Sequence, residues 1–210
     1  MIQPKPQATN ADPNSPTQRV GGGLVKNFEQ VAHRRPMLSL ANTYSFDELD
    51  EFVQRAHELA ATTALEWSAE LKFDGVAISL WYEGGSLQRA LTRGDGVQGD
   101  DVVANVRTIQ GIPLVLPSGA PRDLEVRGEI VFLHRDFEAL NARRSAEGQD
   151  EFANPRNAAS GTLKMQDSTE VAQRRLSMFA YGAYSDEQPF AAHSEAMDAL
   201  AGWGFPVAPR

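Results

Sequence analysis

The sequence has 210 residues, of which 41% are hydrophobic, and its 28 acidic and 20 basic residues give a formal net charge of −8. This length and composition fit one globular domain with an extended arm. The absence of cysteine excludes a disulfide, a cysteine-ligated zinc or iron–sulfur site and a cysteine nucleophile among these residues. Because dedicated nucleic-acid-binding proteins are usually basic, we expect the chain alone to bind DNA weakly.

Residues 1–23 alternate proline with polar side chains and end in three consecutive glycines, which predicts an extended tail or linker. The predicted domain therefore occupies residues 24–210. No apolar run is long enough to span a bilayer, and the first residues contain no apolar signal segment. We therefore expect a cytoplasmic protein without a membrane partner. We also expect it to be a monomer.

Helical and strand periodicities are interspersed along this domain. Ser45 and Glu48 fit a capping box at the start of the first helix. The predicted elements are, in chain order, a helix at about 46–61, strands at 65–71, 76–82 and 87–92 with a hairpin turn at 83–86, a strand at 124–131, a helix at 135–146, a strand at 177–181 and a helix at 193–201. This order predicts an α+β fold with a central antiparallel sheet and flanking helices.

The segment Glu70–Gly75 contains a lysine between two carboxylates. If the segment is extended, Glu70, Lys72 and Asp74 lie on one face. The alternate residues, Leu71 and Phe73, then face a core. This pattern is typical either of a solvated charge ladder on a sheet or of a lysine held in a polar cleft as a nucleophile or anion binder.

Electrostatics works against a nucleophilic lysine in this setting. A carboxylate about 7 Å away stabilises the ammonium form by roughly 2.4 kcal/mol at an effective dielectric constant of about 20. A nucleophilic lysine must instead lose its proton. If Lys72 is a nucleophile, a compensating cation is expected beside it, such as a divalent metal that the carboxylates help to hold.

The amino-acid sequence around this segment resembles that of the NAD-dependent DNA ligases of bacteria. The matching stretches are, in order, residues 15–22 (SPTQRVGG), 36–40 (PMLSL), 70–75 (ELKFDG), 92–96 (TRGDG), 105–109 (NVRTI), 124–129 (LEVRGE) and 152–159 (FANPRNAA). The resemblance covers the chain from about residue 12 to its C-terminus. It implies a nucleotidyltransferase, ATP-grasp-like adenylation domain that is incomplete at the C-terminus.

The resemblance also implies roles for the lysine motif. Lys72 would attack the α-phosphorus of NAD and become adenylated. Glu70 would sit at the adenine end of the nucleotide, and Asp74 and Gly75 would complete the motif. Arg93 would bind the nucleotide, although its Arg-Gly-Asp-Gly stretch is equally typical of a hairpin turn.

Four further residues match positions of the family's nucleotide pocket, and each has a structural alternative. Glu129 would hydrogen-bond the ribose, or it is the charged end of a strand. Ser39 and Leu40 would line the NAD pocket, or they belong to a loop packed on the sheet. Tyr181 would stack on adenine, or it is a core aromatic residue at a strand end.

Arg156 and Lys164 match positions that handle phosphate or the nicked DNA backbone. Arg156 lies near an expected helix start, a region that favours anions. Lys164 stands where the family usually has arginine, so it retains the charge but lacks the bidentate guanidinium group.

The function implied by the resemblance is DNA ligation in replication and repair. NAD would donate AMP with Mg²⁺ (or Mn²⁺) present, and nicked double-stranded DNA would be the partner of the complete enzyme. The chain is expected to be a fragment whose own activity is absent or impaired, because the family's later lysine motifs and DNA-encircling domains are not in the sequence. The alternatives are an ATP-dependent ligase or capping enzyme, and a non-catalytic remnant that binds a nucleotide or a partner.

Overall fold

The computed structural model describes residues 27–209. Its strands are β1 (Gln30–Ala32), β2 (Val76–Glu83), β3 (Ser86–Thr92), β4 (Gln98–Asp100), β5 (Leu124–Val131) and β6 (Ser177–Tyr184). Its helices are α1 (Phe46–Ala60), α2 (Val103–Val106), α3 (His134–Ala146), α4 (Pro155–Leu163), α5 (Ser168–Ala172) and α6 (His193–Gly202). No helix within the described range is both long and apolar enough to cross a membrane.

A four-stranded antiparallel sheet, ordered β3-β2-β5-β6, forms the centre of the fold. Strands β1 and β4 form a separate antiparallel pair. The α+β fold predicted from the sequence is therefore confirmed.

One face of the sheet packs against helices and forms the core. Side chains from alternate positions of β2, such as Ile78 and Leu80, are fully buried there, as are Leu163 of α4 and Leu200 of α6. The other face carries polar side chains, because the register places Ala77 opposite Glu129 and Ser79 opposite Arg127. This polar face positions the candidate site.

The helices predicted at about 46–61 and at 193–201 are confirmed as α1 and α6, each to within one residue at its ends. The first helix spans Phe46–Ala60, and the Ser45 side chain caps it by accepting from the Glu48 amide at 3.2 Å. Strand β6 continues to Tyr184, three residues beyond the predicted end at 181. Helices α2 and α5 and the β1–β4 pair were not predicted.

The strand predicted at 65–71 is wrong, because residues 64–74 form neither strand nor helix. The two neighbours of β2 explain this result. The pairing with β5 begins at Val76, which lies opposite Ile130, and the pairing with β3 reaches only Ile78, which lies opposite Thr92. A strand needs a hydrogen-bonding neighbour, and none extends far enough. The predicted extended tail, residues 1–23, lies outside the described residues.

Candidate functional site

The C-terminal end of the Lys72 segment, Gly75, is hydrogen-bonded to β5. The Gly75 amide donates to Glu129 Oε1 at 3.1 Å. A Cβ atom added at Gly75 would lie 2.2 Å from the Ile130 carbonyl oxygen, so only glycine allows this approach. The approach places Lys72, an exposed residue, three positions before a fixed backbone contact.

Asp74 binds Arg156 through an ion pair of 3.1 Å. Arg156 lies in the first turn of α4, whose cap, Asn154, accepts from the Asn157 amide at 2.8 Å. The helix start thus presents a guanidinium group to the lysine motif. Because both partners are largely exposed, the pair contributes orientation more than stability.

The middle of the Lys72 segment contacts β6 through aromatic side chains. Phe73 stacks on Phe179, with ring centroids 4.1 Å apart and planes 8° from parallel. Phe179 lies opposite Glu129 in the sheet. The prediction that Leu71 faces a core is wrong, because it is 66% exposed; the irregular backbone does not alternate as a strand does.

Glu129 is the charged centre of the polar face. Burial raises the pKa of its carboxyl group, while the Gly75 hydrogen bond and the positive charges of Lys72 and Arg156 act in the opposite direction. These interactions require Lys72 and Arg156 to lie in the electrostatic neighbourhood of Glu129. The folded chain therefore gathers residues that the sequence separates by up to 84 positions.

Tyr181 extends this cluster along the polar face. Desolvation raises the pKa of its hydroxyl group to about 12, and the negative charge of Glu129 contributes in the same direction. The charges of Arg127 and Arg93 oppose the rise. A tyrosine in this setting stays neutral at physiological pH, and the residue keeps 39% of its surface exposed, so it offers a flat, uncharged surface for stacking.

Arg93 and Ser39 lie beside a cavity at one end of the cluster. Arg93 Nη1 donates to Ser39 Oγ at 3.3 Å. The cavity has a volume of 370 Å³ and is lined by residues 36–39 and 93–97. Leu40 is 76% exposed and is not among the lining residues.

Two of the predicted site residues have partners that sequence reasoning missed. Glu70 pairs with His193 Nε2 at 2.6 Å, at the start of α6. Lys164 forms an ion pair of 2.7 Å with Asp100 of β4, and this contact is the main reason why the pKa of Asp100 is lowered. No sequence signal links either pair, because 123 and 64 positions separate the partners.

The described residues do not form a metal site of their own. Within residues 27–209 there is no group of three or more histidine, aspartate or glutamate side chains that could hold a metal ion. The two carboxylates that flank Lys72 already have protein partners: Glu70 binds His193 Nε2 at 2.6 Å, and Asp74 binds Arg156 at 3.1 Å. The expectation that carboxylates flanking Lys72 help to hold a divalent ion therefore has no support in this donor set.

Comparison with known proteins adds evolutionary relationships to this geometry. The chain is 52% identical to a DNA ligase of Porphyromonas gingivalis over 196 residues, 51% to one of Bacteroides fragilis over 199, and 57% to one of Chlorobium chlorochromatii over 172. These alignments cover 93%, 94% and 80% of the chain but only 29%, 30% and 26% of the three relatives. The sequence thus spans about three tenths of the length of such ligases.

A family model agrees with these relatives and covers nearly the whole domain. The model described as the NAD-dependent DNA ligase adenylation domain matches residues 25–210. The match includes every predicted site residue, from Ser39 to Tyr181. The chain belongs to the NAD-dependent DNA ligase adenylation domain family.

Proposed function

We propose that Lys72 is the nucleophile of an adenylation site that takes AMP from NAD. The observation that carries this proposal is that two contacts hold the lysine motif against the rest of the domain. Asp74 forms an ion pair with Arg156, and the Gly75 amide donates a hydrogen bond to Glu129. A lysine on an otherwise irregular segment gains a fixed location from these two contacts. Positioning of this kind can supply several kcal/mol of a reaction barrier.

The proposed first step forms one bond and breaks one bond at the α-phosphorus of NAD. The neutral Nζ of Lys72 attacks that phosphorus, and the phosphoanhydride bond to the nicotinamide mononucleotide half breaks. Nicotinamide mononucleotide leaves with the bond's electron pair, and the proton lost by the amine passes to solvent. Arg156 supports the step because its charge favours the neutral amine and stabilises developing negative charge on phosphate.

We place the adenosine half along the polar face of the sheet. The ring of Tyr181 stacks on adenine, and Glu129 accepts a hydrogen bond from the ribose. Arg93 and Ser39 bind at the cavity end of the nucleotide, with Leu40 beside them. Glu70 lies toward the adenine end, where His193 holds its carboxylate.

The later steps are proposed for a ligase of the full length of the relatives, because the aligned segment spans only about three tenths of them. AMP passes from Lys72 to the 5′-phosphate at a nick in duplex DNA. The 3′-hydroxyl then attacks that phosphate, which forms the phosphodiester and releases AMP. Arg156 and Lys164 contact phosphate. Mg²⁺ (or Mn²⁺), when bound, would neutralise charge on the nucleotide's phosphates.

Mass spectrometry of adenylated peptides tests the first step. The 210-residue chain, and a hybrid in which it replaces the matching 196 residues of the P. gingivalis ligase, are incubated with NAD or ATP and Mg²⁺. We expect AMP on Lys72 of the hybrid with NAD only, and little or none on the isolated chain. Lys72→Arg should abolish the label, whereas Arg55→Lys, a charge-retaining control at an exposed position of α1, should retain it.

The outcomes distinguish the alternatives. Labelling from ATP but not NAD would indicate a different nucleotide donor. No label on any lysine of the hybrid, with AMP still bound, would indicate a nucleotide-binding remnant. Rapid and complete labelling of the isolated chain would refute the expectation that it is impaired.

A further inference from the structure

Residues 33–37 form a strap that crosses the polar face of the sheet. At its beginning the His33 amide donates to the Val97 carbonyl at 2.8 Å, and at its end the Met37 amide donates to Gly96 at 2.9 Å. Met37 is only 4% exposed. The residues that follow, 38 and 39, line the cavity beside Arg93, so the position of the strap sets the position of one cavity wall.

Arg127 of β5 binds the backbone in the middle of the strap. Arg127 donates from Nη1 to the Pro36 carbonyl at 3.0 Å and from Nη2 to the Arg35 carbonyl at 2.5 Å. Its Nε donates to Glu125 Oε1 at 2.8 Å. All three nitrogens of one guanidinium group are therefore engaged, two of them by the backbone of the strap.

The sheet holds this guanidinium group in place from below. Glu125 is 2% exposed, and its Oε1 also accepts from Ser79 Oγ at 2.9 Å. Ser79 Oγ in turn accepts from the Trp81 indole nitrogen at 2.9 Å. A buried carboxylate fixed by two neighbours gives Arg127 one orientation.

Cation–π contacts with aromatic residues of β2 and β6 also attract the strap to the sheet. Arg34 lies 4.6 Å above the Trp81 ring, and Arg35 lies 5.5 Å from the Tyr184 ring. Arg127 itself lies 5.0 Å from Tyr184. These cation–π contacts attract the strap to the sheet, and the Arg127 fork adds two hydrogen bonds to its backbone between the backbone contacts at His33 and Met37.

We propose that Arg127 is a positioning residue that holds the strap so that Ser39 stays against Arg93 at the nucleotide site. It acts through the strap and does not itself need to touch the nucleotide. The proposal rests on the proposed function for its consequence, nucleotide binding, but the anchoring of the strap can be measured independently. Lysine cannot replace Arg127, because one ammonium group cannot reach two carbonyls and Glu125 in the same geometry.

Amide hydrogen exchange on the 210-residue chain measures the anchoring directly. In Arg127→Lys, exchange at the Met37 amide should become at least tenfold faster, while the amides of β2 and β5 keep their protection. Because Arg127→Met alone leaves Glu125 buried without its cation, the second variant is the double substitution Glu125→Gln with Arg127→Met. Arg122→Met is the matched control, since Arg122 also donates to a backbone carbonyl, that of Gly84 in the turn between β2 and β3, and not to the strap.

AMP affinity then measures the consequence for the site. We expect the affinity to fall at least fivefold in both strap variants and to stay unchanged in Arg122→Met. Unchanged exchange at Met37 in a folded variant would overturn the proposal, as would faster exchange with unaltered AMP affinity. If AMP fails to bind the unsubstituted chain, that result counts against the proposed function alone, and the exchange at Met37 still decides the role of Arg127.

Discussion

Substitution of Gly75 by alanine should displace the lysine motif from the sheet. The added Cβ atom would lie 2.2 Å from the Ile130 carbonyl oxygen and 2.7 Å from Val131 Cγ1. To restore an ordinary contact of about 3.4 Å, the backbones must separate by about 1.2 Å. The same shift lengthens the 3.1 Å hydrogen bond to Glu129 beyond bonding distance.

The cost follows from the two contributions. A hydrogen bond to a charged group is worth about 1.5–3 kcal/mol, and overpacking costs about 1–3 kcal/mol. Because both arise from one displacement and are not additive, we expect the free energy of unfolding to fall by about 3 kcal/mol. For a domain of this size that corresponds to a lowering of Tm by about 6–12 °C.

Chemical and thermal denaturation of Gly75→Ala measure this loss, with Gly161→Ala as the control. A Cβ at Gly161, inside α4, meets no atom within 4 Å, so alanine there should be neutral or stabilise the helix by up to about 1 kcal/mol. In the ligase hybrid, Gly75→Ala should also slow adenylation by about 100-fold, since Lys72 moves by about 1 Å. A Gly75→Ala chain as stable as the unsubstituted chain would refute the close approach on which this reasoning depends.

Further predictions concern packing, pH and DNA. Phe73→Ala should lower the free energy of unfolding by about 1–3 kcal/mol, because it removes the stack on Phe179. The control Phe46→Ala, at a residue that is 86% exposed, should cost less than about 0.5 kcal/mol. Equal effects of the two substitutions in denaturant titrations would contradict the stack. Burial raises the pKa of Glu129 in the folded state, so ionisation of this carboxyl group opposes folding. The free energy of unfolding of the unsubstituted chain, minus that of Glu129→Gln, should therefore decline as pH rises from 4.5 through the raised pKa. A difference independent of pH would show that Glu129 has the same pKa in the folded and unfolded states. With a net charge of −8, the chain should bind duplex DNA no more tightly than roughly 10⁻⁴–10⁻⁶ M, with affinity falling steeply as salt increases, and nick-specific binding in a fluorescence titration would contradict this expectation.

Local sequence rules succeeded where contacts are close along the chain. The capping residues before α1, the hairpin turn between β2 and β3 and the alternation of β5 each depend on neighbours within a few positions. The rules failed over 65–71, where alternating residues met no neighbouring strand. They also gave no indication that Leu71 would remain exposed, because local alternation does not reveal whether a sheet neighbour is available.

The candidate site shows the same division. The family motifs nominated Lys72 and Glu129, but their shared environment, the Glu70–His193 pair and the strap over Arg127 follow from contacts between residues 54–123 positions apart. The sequence by itself determined the type of most of the longer elements, the α+β class and the family, since each is encoded in local periodicity or ordered motifs. Only the tertiary structure decided which carboxylate meets which cation. Such pairing requires the chain to close long loops, and the buried sheet that offsets the entropy of closure exists only after folding.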